Sequence, residues 1–495
     1  MKNGKNPLPG LVLGLMSIGV SITLMFFDPV IPITLFYSRA ANGTLTHNAM
    51  MEVIEGIHIS AYLFNITNAE EFTSGEHDKL KVQEVGPFTY SEVRTNKNFV
   101  IDEEAEEMRY TPRIDVNFIP EASVGRPEDI DVTLANIAML SIASKVGAYS
   151  YFPQLAFNLL ASQLNSKPVV TMRAKDYLWG YDEPLIRLGH NIIPGIINFD
   201  TLGILDRLYD KKAVYDYVVS AKNSDKFAIK SVNGIEGLEM WNYENPKKRS
   251  KCNSFIDAYE GINYPTMMTS ETPIRIYRSI LCRILELDYF DTITTDYGAK
   301  GLVYRISNRT YTTNNDTKCL CIGECQEYIS HLSPCFFGLP VALSNAHFLY
   351  ADPEIYSKIE GIQPDEEKHG SNILIDPIMG LALKTEFSVQ LNVVVDDVTF
   401  NSDARRFSKM LVPVGYFKIV QPPLKSSLIF QLRLVYVYGP YLVLAVQIIF
   451  LVLGLTILAY SRRNMNCGLL YLTQKEITFH LSTAEKAKVE QPLIY

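Results

Sequence analysis

The sequence lacks the motifs that mark the most common enzyme classes. It has no His-Glu-x-x-His zinc motif, no phosphate-binding Walker loop, no Gly-x-Ser-x-Gly nucleophile elbow and no Gly-x-Gly-x-x-Gly dinucleotide fingerprint. Because no catalytic residue and no cofactor are indicated, the sequence favours binding or transport over an enzyme. A net charge of −8 without a concentrated basic patch argues against a nucleic-acid partner.

Histidine is scarce, with 8 residues in a chain of 495. His347 and His369 flank the acidic stretch Asp365–Glu367, a combination that can hold a metal ion. Nothing in the spacing places two ligands one turn apart on a helix, as a helical zinc motif requires. We therefore interpret these residues as polar surface groups and predict no metal site.

Charge is absent from two long apolar runs, Leu8–Phe27 with 20 residues and Leu434–Ser461 with 28. A helix needs ~20 apolar residues to cross ~30 Å of hydrocarbon. Both runs meet that length, so we predict transmembrane helices at residues 8–27 and 434–461. The large segment between them, residues 28–433, is then a domain outside the cytoplasm.

The short flanks of the two runs predict their orientation. Two lysines precede the first run and two arginines follow the second. Positive flanks stay in the cytoplasm, so we predict cytoplasmic tails at residues 1–7 and 462–495. The alternative for the first run is a cleaved signal peptide, whose apolar part is only ~7–15 residues long and is followed by a small-residue cleavage site. This run is longer and ends in Met25-Phe26-Phe27, which favours an uncleaved anchor.

Two kinds of residue agree with an extracellular or luminal domain. Asn-x-Ser/Thr acceptors for glycosylation occur within residues 28–433, at Asn42, Asn65, Asn308 and Asn315. Six of the seven cysteines also fall there, at Cys252, Cys282, Cys319, Cys321, Cys325 and Cys335. An even number in an oxidising compartment predicts three disulfides in a region spanning residues 252–335 and leaves their pairing open. A zinc site on the closely spaced cysteines is the less favoured alternative.

Two further residue patterns lie in or beside the apolar runs. Cys467 follows the second run, where reversible palmitoylation and a free thiol are equally good interpretations. Gly10 and Gly14 form a small-xxx-small pattern in the first run, which can let membrane helices approach closely. Homo-oligomer formation is therefore left open.

The segment between the runs has strand patterns near both of its ends. Val389, Leu391, Val393 and Val395 alternate with mostly polar residues, and the turn signal Pro377–Gly380 precedes them, which together predict an antiparallel hairpin with Ile373–Ile375. Near the other end, Gly86-Pro87 predicts a bend between two short strands.

Residues 129–164 have a different pattern, with few charges and helical spacing of apolar residues. We predict two helices here, separated at Pro153, with the second ended by Pro168. Helices so poor in charge are either buried or present an apolar surface to a partner, and burial is the better prediction from the residues alone.

Several passages, taken in order between the two apolar runs, resemble the class B scavenger receptors. These are the family of fatty-acid translocase, lysosomal integral membrane protein and insect sensory neuron membrane proteins. The resembling passages are Glu84–Tyr90, Tyr177–Tyr181, Leu281–Arg283, Gly301–Arg305, His347–Ala351, Gly361–His369 and Asp376–Gly380. The resemblance runs nearly end to end.

The resemblance implies an α+β fold. A large antiparallel β-barrel ectodomain would carry a helical-bundle cap, here residues 129–167, and an apolar tunnel would run through the barrel towards the bilayer. It also implies the cysteine pairing Cys252–Cys319, Cys282–Cys335 and Cys321–Cys325. Fatty-acid-binding members carry a lysine at the bundle, and Lys167 is the nearest match in this sequence; a solvated surface charge is an equally good interpretation.

The function implied is a multi-pass membrane glycoprotein receptor that binds lipids or lipoproteins and delivers lipid towards the bilayer. Its expected ligands are fatty acids, sterols or other lipids. The alternative is a sorting or cell-surface interaction receptor that binds a protein ligand through the helical cap. The plasma membrane is the expected location, with the endosomal or lysosomal membrane as the alternative because Pro492-Leu493-Ile494 resembles the dileucine sorting signal of lysosomal members.

Overall fold

The computed structural model of the protein describes residues 8–192, 197, 199–312, 317–321 and 326–489; the side chains of residue 280, residues 466–472, residue 475 and residues 479–489 fall outside that description. The chain divides into two compact units. The membrane unit comprises Met1–Phe36, Asp296–Ala299 and Ser426–Tyr495, and the barrel unit comprises Tyr37–Thr295 and Lys300–Lys425.

The helices are short except for those at the two ends of the chain. They are α1 (Leu8–Phe26), α2 (Val30–Tyr37), α3 (Leu45–Met51), α4 (Ala69–Ser74), α5 (Ile137–Gly147), α6 (Tyr151–Gln163), α7 (Ala174–Trp179), α8 (Pro184–Ile192), α9 (Ile204–Leu208), α10 (Glu366–His369), α11 (Ser426–Arg433) and α12 (Gly439–Val489).

The strands of the described residues all lie in the barrel unit. They are β1 (Ile54–Ile66), β2 (Leu80–Asp102), β3 (Glu107–Phe118), β4 (Asp131–Ala135), β5 (Val169–Arg173), β6 (Tyr217–Ser220), β7 (Ile229–Val232), β8 (Ala258–Tyr259), β9 (Ile274–Arg278), β10 (Arg283–Thr294), β11 (Lys300–Ile306), β12 (Ser330–His331), β13 (Val341–Ser344), β14 (Ile359–Glu360), β15 (Asn372–Ile375), β16 (Ala382–Val395) and β17 (Met410–Val420).

One large sheet dominates this unit and nearly closes on itself. Its strand order is β7-β6-β3-β2-β1-β17-β16-β15-β11-β10-β9-β8, with antiparallel pairing along the path except between β9 and β8. An isolated bridge between Ala228 and Tyr259 joins the two ends of that path. The predicted α+β fold with a large barrel and an apolar helix near each end of the chain is confirmed. Closure leaves few unpaired sheet edges.

The predicted hairpin is confirmed: β15 pairs antiparallel with β16. Along β16, the apolar residues Val389, Leu391, Val393 and Val395 join the main hydrophobic core. The alternate polar residues Ser388, Gln390 and Asn392 are also fully buried. They are covered by other protein groups, since Asn392 Nδ2 donates to Ser344 Oγ at 2.9 Å and Gln390 Oε1 accepts from the His347 backbone N at 2.7 Å.

The region predicted as two helices needs two corrections. Residues 131–135 form β4, which pairs with β5, because Val132 and Leu134 alternate on its buried face. The helices α5 and α6 are separated at residues 148–150, and Pro153 lies in the first turn of α6. A proline costs little there, since the first backbone N–H groups of a helix have no intrahelical partner.

The bend predicted at Gly86-Pro87 is also wrong. Strand β2 continues through both residues, which are joined by a cis peptide bond. The pairing of β2 with β1 has a bulge at Ala61–Leu63, beside this position. A Cβ on Gly86 would lie 2.8 Å from the Ala61 carbonyl oxygen, and its φ of +154° is a conformation that favours glycine. The two residues therefore form an irregularity within one strand.

Within the described part of the membrane unit, two helices are long and apolar enough to cross a bilayer. They are Leu8–Phe26 and the continuous helical segment Ser426–Met465. Helix α1 packs on α12 through small residues, because Ser17 Oγ donates to the Phe450 carbonyl at 2.7 Å and Ser21 Oγ to the Gln447 carbonyl at 3.0 Å. Gly10 and Gly14 extend this contact with α12 along α1.

Candidate functional site

The inner apolar face of the barrel borders a cavity. Strands β13, β16 and β17 supply Val341, Leu343, Val389, Leu391 and Phe417. Helices α5 and α9 add Ile137, Ile204 and Leu208 on the other side. The lining is apolar except for Arg207 and the backbone, so the cavity suits hydrocarbon and offers almost nothing to a polar ligand.

The size of this cavity is small, about 50 Å³. One water molecule occupies about 30 Å³ in the liquid, so the cavity holds no more than a hydrocarbon fragment as it stands. A long acyl chain would require the surrounding side chains to move. Four residues at its edge, Arg207, Leu208, Phe336 and Phe337, also line a much larger cleft.

This larger cleft has a volume of about 770 Å³ and mixed polarity. Glu92, Tyr209, Glu260, Tyr277 and Arg278 lie along it, together with the disulfide-bonded Cys282 and Cys335. A second cleft of about 690 Å³ shares Arg207 and Tyr209 with it. The barrel unit therefore places a polar cleft directly beside an apolar cavity.

One acidic residue of the cleft belongs to a buried ion pair. Arg94 donates to both carboxylate oxygens of Glu260, at 2.5 and 2.9 Å, and Tyr110 donates to one of them at 2.8 Å. Burial would raise the pKa of the Glu260 carboxyl, but Arg94, with a further contribution from Arg278, holds it below its usual value. Glu260 is therefore already neutralised by the protein and is unavailable to a ligand.

A second cluster lies elsewhere in the barrel unit and comprises Glu84, His347 and His369. Ligand atoms of these three residues lie within 4.8 Å of one another. The two histidine rings stack with centroids 4.2 Å apart, and Glu84 Oε2 accepts from His347 Nε2 at 2.8 Å and from the Tyr416 hydroxyl at 3.0 Å. Both histidines are buried, so the interpretation of them as surface residues is wrong.

Two histidines and a glutamate are a known zinc ligand set, but the hydrogen bonds of this cluster do not fit one. The Nδ1 atom of His347 accepts from the Gln363 backbone N, and that of His369 from the Asp365 backbone N, both at 3.1 Å. A neutral imidazole has one donor and one acceptor, so the Nε2 atoms carry the protons. A ligating Nε2 needs a free lone pair, with Nδ1–H donating to an acceptor instead.

The cluster therefore holds protein segments together. His347 and His369 come from the covering segment, residues 345–370, while Glu84 and Tyr416 belong to β2 and β17. Burial would raise the pKa of Glu84, but its hydrogen bonds from His347 and Tyr416 lower it. Burial, reinforced by His347, lowers the pKa of His369 to about 4. Sequence spacing could not reveal this contact, since the three residues come from distant parts of the chain.

Lys167 lies at the surface, with 54% of its side chain exposed. Its Nζ donates to Asp403 Oδ2 at 2.7 Å. It does not line the apolar cavity or either cleft. A role in ligand binding remains a prediction, and a ligand there would have to compete with Asp403.

The low-charge helix pair is only partly buried. Helix α5 is buried along most of its length, whereas α6 and the residues before it expose Tyr149, Tyr151, Phe152 and Leu159. The prediction of burial is therefore right for α5 and wrong for much of α6. An exposed apolar patch of this kind is typical of an interaction surface.

The cysteines form disulfides joining Cys252 to Cys319 and Cys282 to Cys335, as the resemblance implies. Cys321 is disulfide-bonded as well, and its expected partner Cys325 lies outside the described residues. The side chain of Cys467 lies outside the described part of the chain.

Three of the four glycosylation acceptors fall in the described part of the chain. Asn42 and Asn308 are exposed, and Asn65 is half-buried with its Oδ1 accepting from the Thr133 backbone N at 2.7 Å. Asn315 lies outside the described residues. Glycan attachment remains a prediction at all four positions.

The chain is similar to several curated membrane proteins over most of its length. It is 24% identical to scavenger receptor class B member 1 of Bos taurus over 453 residues, covering 88% of this chain and 86% of the relative. It is 26% identical to lysosome membrane protein 2 of Homo sapiens over 427 residues, covering 83% and 85%. The family model described as the CD36 family matches residues 11–463. The chain therefore belongs to the CD36 family.

Proposed function

We propose that this protein is a membrane receptor that binds lipid inside its barrel unit and delivers it towards the bilayer. The observation that carries this proposal is the cavity against β13, β16 and β17, whose lining is almost entirely apolar. Apolar surface gains about 25 cal/mol per Å² on leaving water, so a buried hydrocarbon lining favours an acyl chain or sterol over a polar ligand. Both ends of the barrel unit continue into the apolar helices.

Family membership supports the coarse part of this proposal. The relatives are named as a scavenger receptor and a lysosomal membrane protein. This chain is accordingly a membrane protein of a receptor family, and its expected location at the plasma membrane, or alternatively at the endosomal or lysosomal membrane, agrees with both. The ligand class and the delivery step belong to the proposal.

Leu343→Gln tests the cavity, with Leu411→Gln as its matched control. Both leucines are buried, at 3% and 5% exposure, but Leu343 lines the cavity whereas Leu411 belongs to a separate hydrophobic cluster. Each change buries a polar amide and costs about 1–3 kcal/mol of stability. Only Leu343→Gln also places that amide where lipid would lie.

The measurement is lipid extraction and mass spectrometry of the purified full chain, normalised to folded protein. We expect lipid in wild type and Leu411→Gln and at least a tenfold loss in Leu343→Gln. Equal lipid content in all three proteins would contradict binding in this cavity. A cell-based uptake assay of the same variants tests delivery separately.

The exposed patch of α6 supports a second candidate function, recognition of a protein ligand. Phe152 has 78% of its surface exposed and Leu159 has 62%. Phe152→Glu should then abolish capture of a protein partner and leave bound lipid unchanged, whereas Val100→Glu, at another exposed apolar residue of β2, should do neither. Partner capture that survives Phe152→Glu would rule out this surface.

A further inference from the structure

Among the described residues, Arg278 is an arginine of the large cleft that acts on the Glu260 carboxylate only through its field and forms no ion pair with it. It ends β9 and is half-buried along the cleft wall. Within the part of the chain that the structure describes, its guanidinium makes no hydrogen bond and no ion pair. By contrast, the buried Arg94 is held by Glu260, and the buried Arg283 donates to the carbonyls of Leu320 and His331.

Among the described residues, none of the acidic side chains of the same cleft forms an ion pair with Arg278; they are Glu92, Asp115, Asp210, Glu239 and Glu260. Glu260 is engaged by Arg94, and Arg207 lies 3.7 Å from Asp210. Lys211 lies 3.3 Å from Asp115 at the rim. The buried Glu92 accepts the hydroxyl of Tyr209 and lies within 4 Å of no cation among the described residues. The guanidinium of Arg278 thus lies on the wall of the cleft with donors that no described acidic side chain occupies, where an anionic group of a ligand can accept from them.

The position of Arg278 relates the cleft to the apolar cavity. The cleft that it lines shares Phe336 and Phe337 with the cavity, and the ring of Phe337 lies 5.0 Å from that of Phe199 on the cavity side. The disulfide between Cys282 and Cys335 fixes the backbone beside these rings. A ligand that spans both spaces would place a charged end near Arg278 and an apolar end against Leu343 and its neighbours.

We propose that Arg278 binds the anionic group, a carboxylate or a phosphate, of an amphiphile whose hydrocarbon chain passes Phe336 and Phe337 into the apolar cavity. This proposal rests on the proposed lipid-binding function and adds the chemistry of the headgroup. A guanidinium presents a planar set of donors that matches either anion with two parallel hydrogen bonds. Burial of the hydrocarbon chain gives the complex its affinity, and Arg278 makes binding selective for an anionic headgroup.

Arg278→Gln tests the headgroup, with Glu92→Gln as the matched control in the same cleft. The full chain is purified in a neutral maltoside detergent and exposed to three twelve-carbon probes with a photoreactive diazirine at the chain end. The probes carry a carboxylate, a phosphate or a hydroxyl headgroup. Intact-mass spectrometry gives the half-labelling concentration of each probe, and comparison between variants cancels partition into micelles.

We expect Arg278→Gln to raise the half-labelling concentration of the anionic probes about tenfold, which corresponds to about 1.4 kcal/mol. The alcohol should label both proteins equally. Glu92→Gln should bind the anionic probes as well as or better than wild type, because it removes a like charge. Arg278→Lys retains the charge, so its half-labelling concentration for the anionic probes should lie between those of wild type and Arg278→Gln. An unchanged unfolding temperature shows that the variants fold.

Each other outcome has a distinct meaning. If the anionic probes label Arg278→Gln as readily as wild type, or if the alcohol loses affinity equally, the role of Arg278 is wrong while lipid binding stands. If no probe labels wild type saturably, the lipid-binding function fails and this proposal fails with it. A preference for only one of the two anions supports the proposal and identifies the headgroup.

Discussion

At the scale of single residues, Lys226 is a buried charge that forms no ion pair with a carboxylate among the described residues. It is 2% exposed, and its Nζ donates to the Ser38 carbonyl at 2.9 Å. Burial lowers the pKa of its ammonium to about 8, against a usual value of 10.5. Between these two values the unfolded chain binds more protons than the folded one. The contribution of Lys226 to the free energy of unfolding therefore rises with pH between these two values.

Lys226→Met should isolate this effect. A pKa difference of this size corresponds to about 3 kcal/mol, so the stability of wild type relative to the variant should rise by up to that amount between pH 7.5 and pH 10.5. Other groups cancel in the difference. The measurement is the apparent unfolding temperature of both proteins across this range, and a difference independent of pH would show that Lys226 is not desolvated in the folded protein.

At the scale of elements, the two long apolar helices meet through small residues. A Cβ on Gly14 would lie 2.7 Å from Leu458 Cγ and 3.1 Å from the Gly454 carbonyl oxygen, whereas Gly19 has nothing within 4 Å. Close packing of this kind is a principal source of helix association in lipid, where apolar burial gives no net gain. The pattern at Gly10 and Gly14 thus serves contact between helices of the same chain.

Gly14→Leu should separate these helices, and Gly19→Leu should not. In membranes, the pair Ser21→Cys and Gln447→Cys should form a disulfide rapidly in the wild-type background, because the Ser21 hydroxyl contacts the Gln447 carbonyl. We expect Gly14→Leu to slow oxidation at least tenfold. The same slowing in Gly19→Leu would mean that helix length or hydrophobicity, rather than this contact, governs the pairing.

Elements also show what local sequence can predict. The hairpin of β15 and β16 is marked by its own alternation and turn, and both are local signals. Strand β4 has the same apolar alternation, but it lies beside a true helix and needs the distant β5 to pair with. Gly86-Pro87 has the chemistry of a bend, yet β2 pairs with β1 both before and after the dipeptide, and this pairing carries the strand through it.

For the candidate site, the sequence predicts the apolar lining better than the contacts between residues that are distant in the chain. The apolar face of β16 could be predicted from period-two spacing, whereas the buried polar face of Gln390 and Asn392 could not. Asn392 is covered by Ser344 of the neighbouring β13, and Gln390 is covered where residues 345–370 fold back over it, a tertiary contact with no local signal. The same contact buries His347 and His369. Nothing in the sequence marks Arg278 either, since only the folded structure shows that the acidic residues near it contact other groups.

At the scale of the whole molecule, the covering segment couples the barrel to pH. The folded pKa of His369, about 4, lies below its ordinary value of 6.5. Its contribution to stability is therefore complete above pH 6.5 and is lost as the pH falls towards 4. Glu84, whose pKa is also lowered, loses its contribution only below its ordinary value of 4.5. Both effects weaken the same contact in acid.

The two expected locations of the protein differ in this respect, because an endosomal or lysosomal lumen is acidic and the cell surface is neutral. We expect the apparent unfolding temperature of the purified wild-type chain to fall as the pH drops from 6.5 to 4.5, by an amount corresponding to at most about 3 kcal/mol. His369→Gln should be less stable than wild type at pH 7 and show a flatter decline, whereas His47→Gln on α3 should decline like wild type. If His369→Gln declines as steeply as wild type, acid acts on the barrel through other groups, and the cluster is a passive contact at either location.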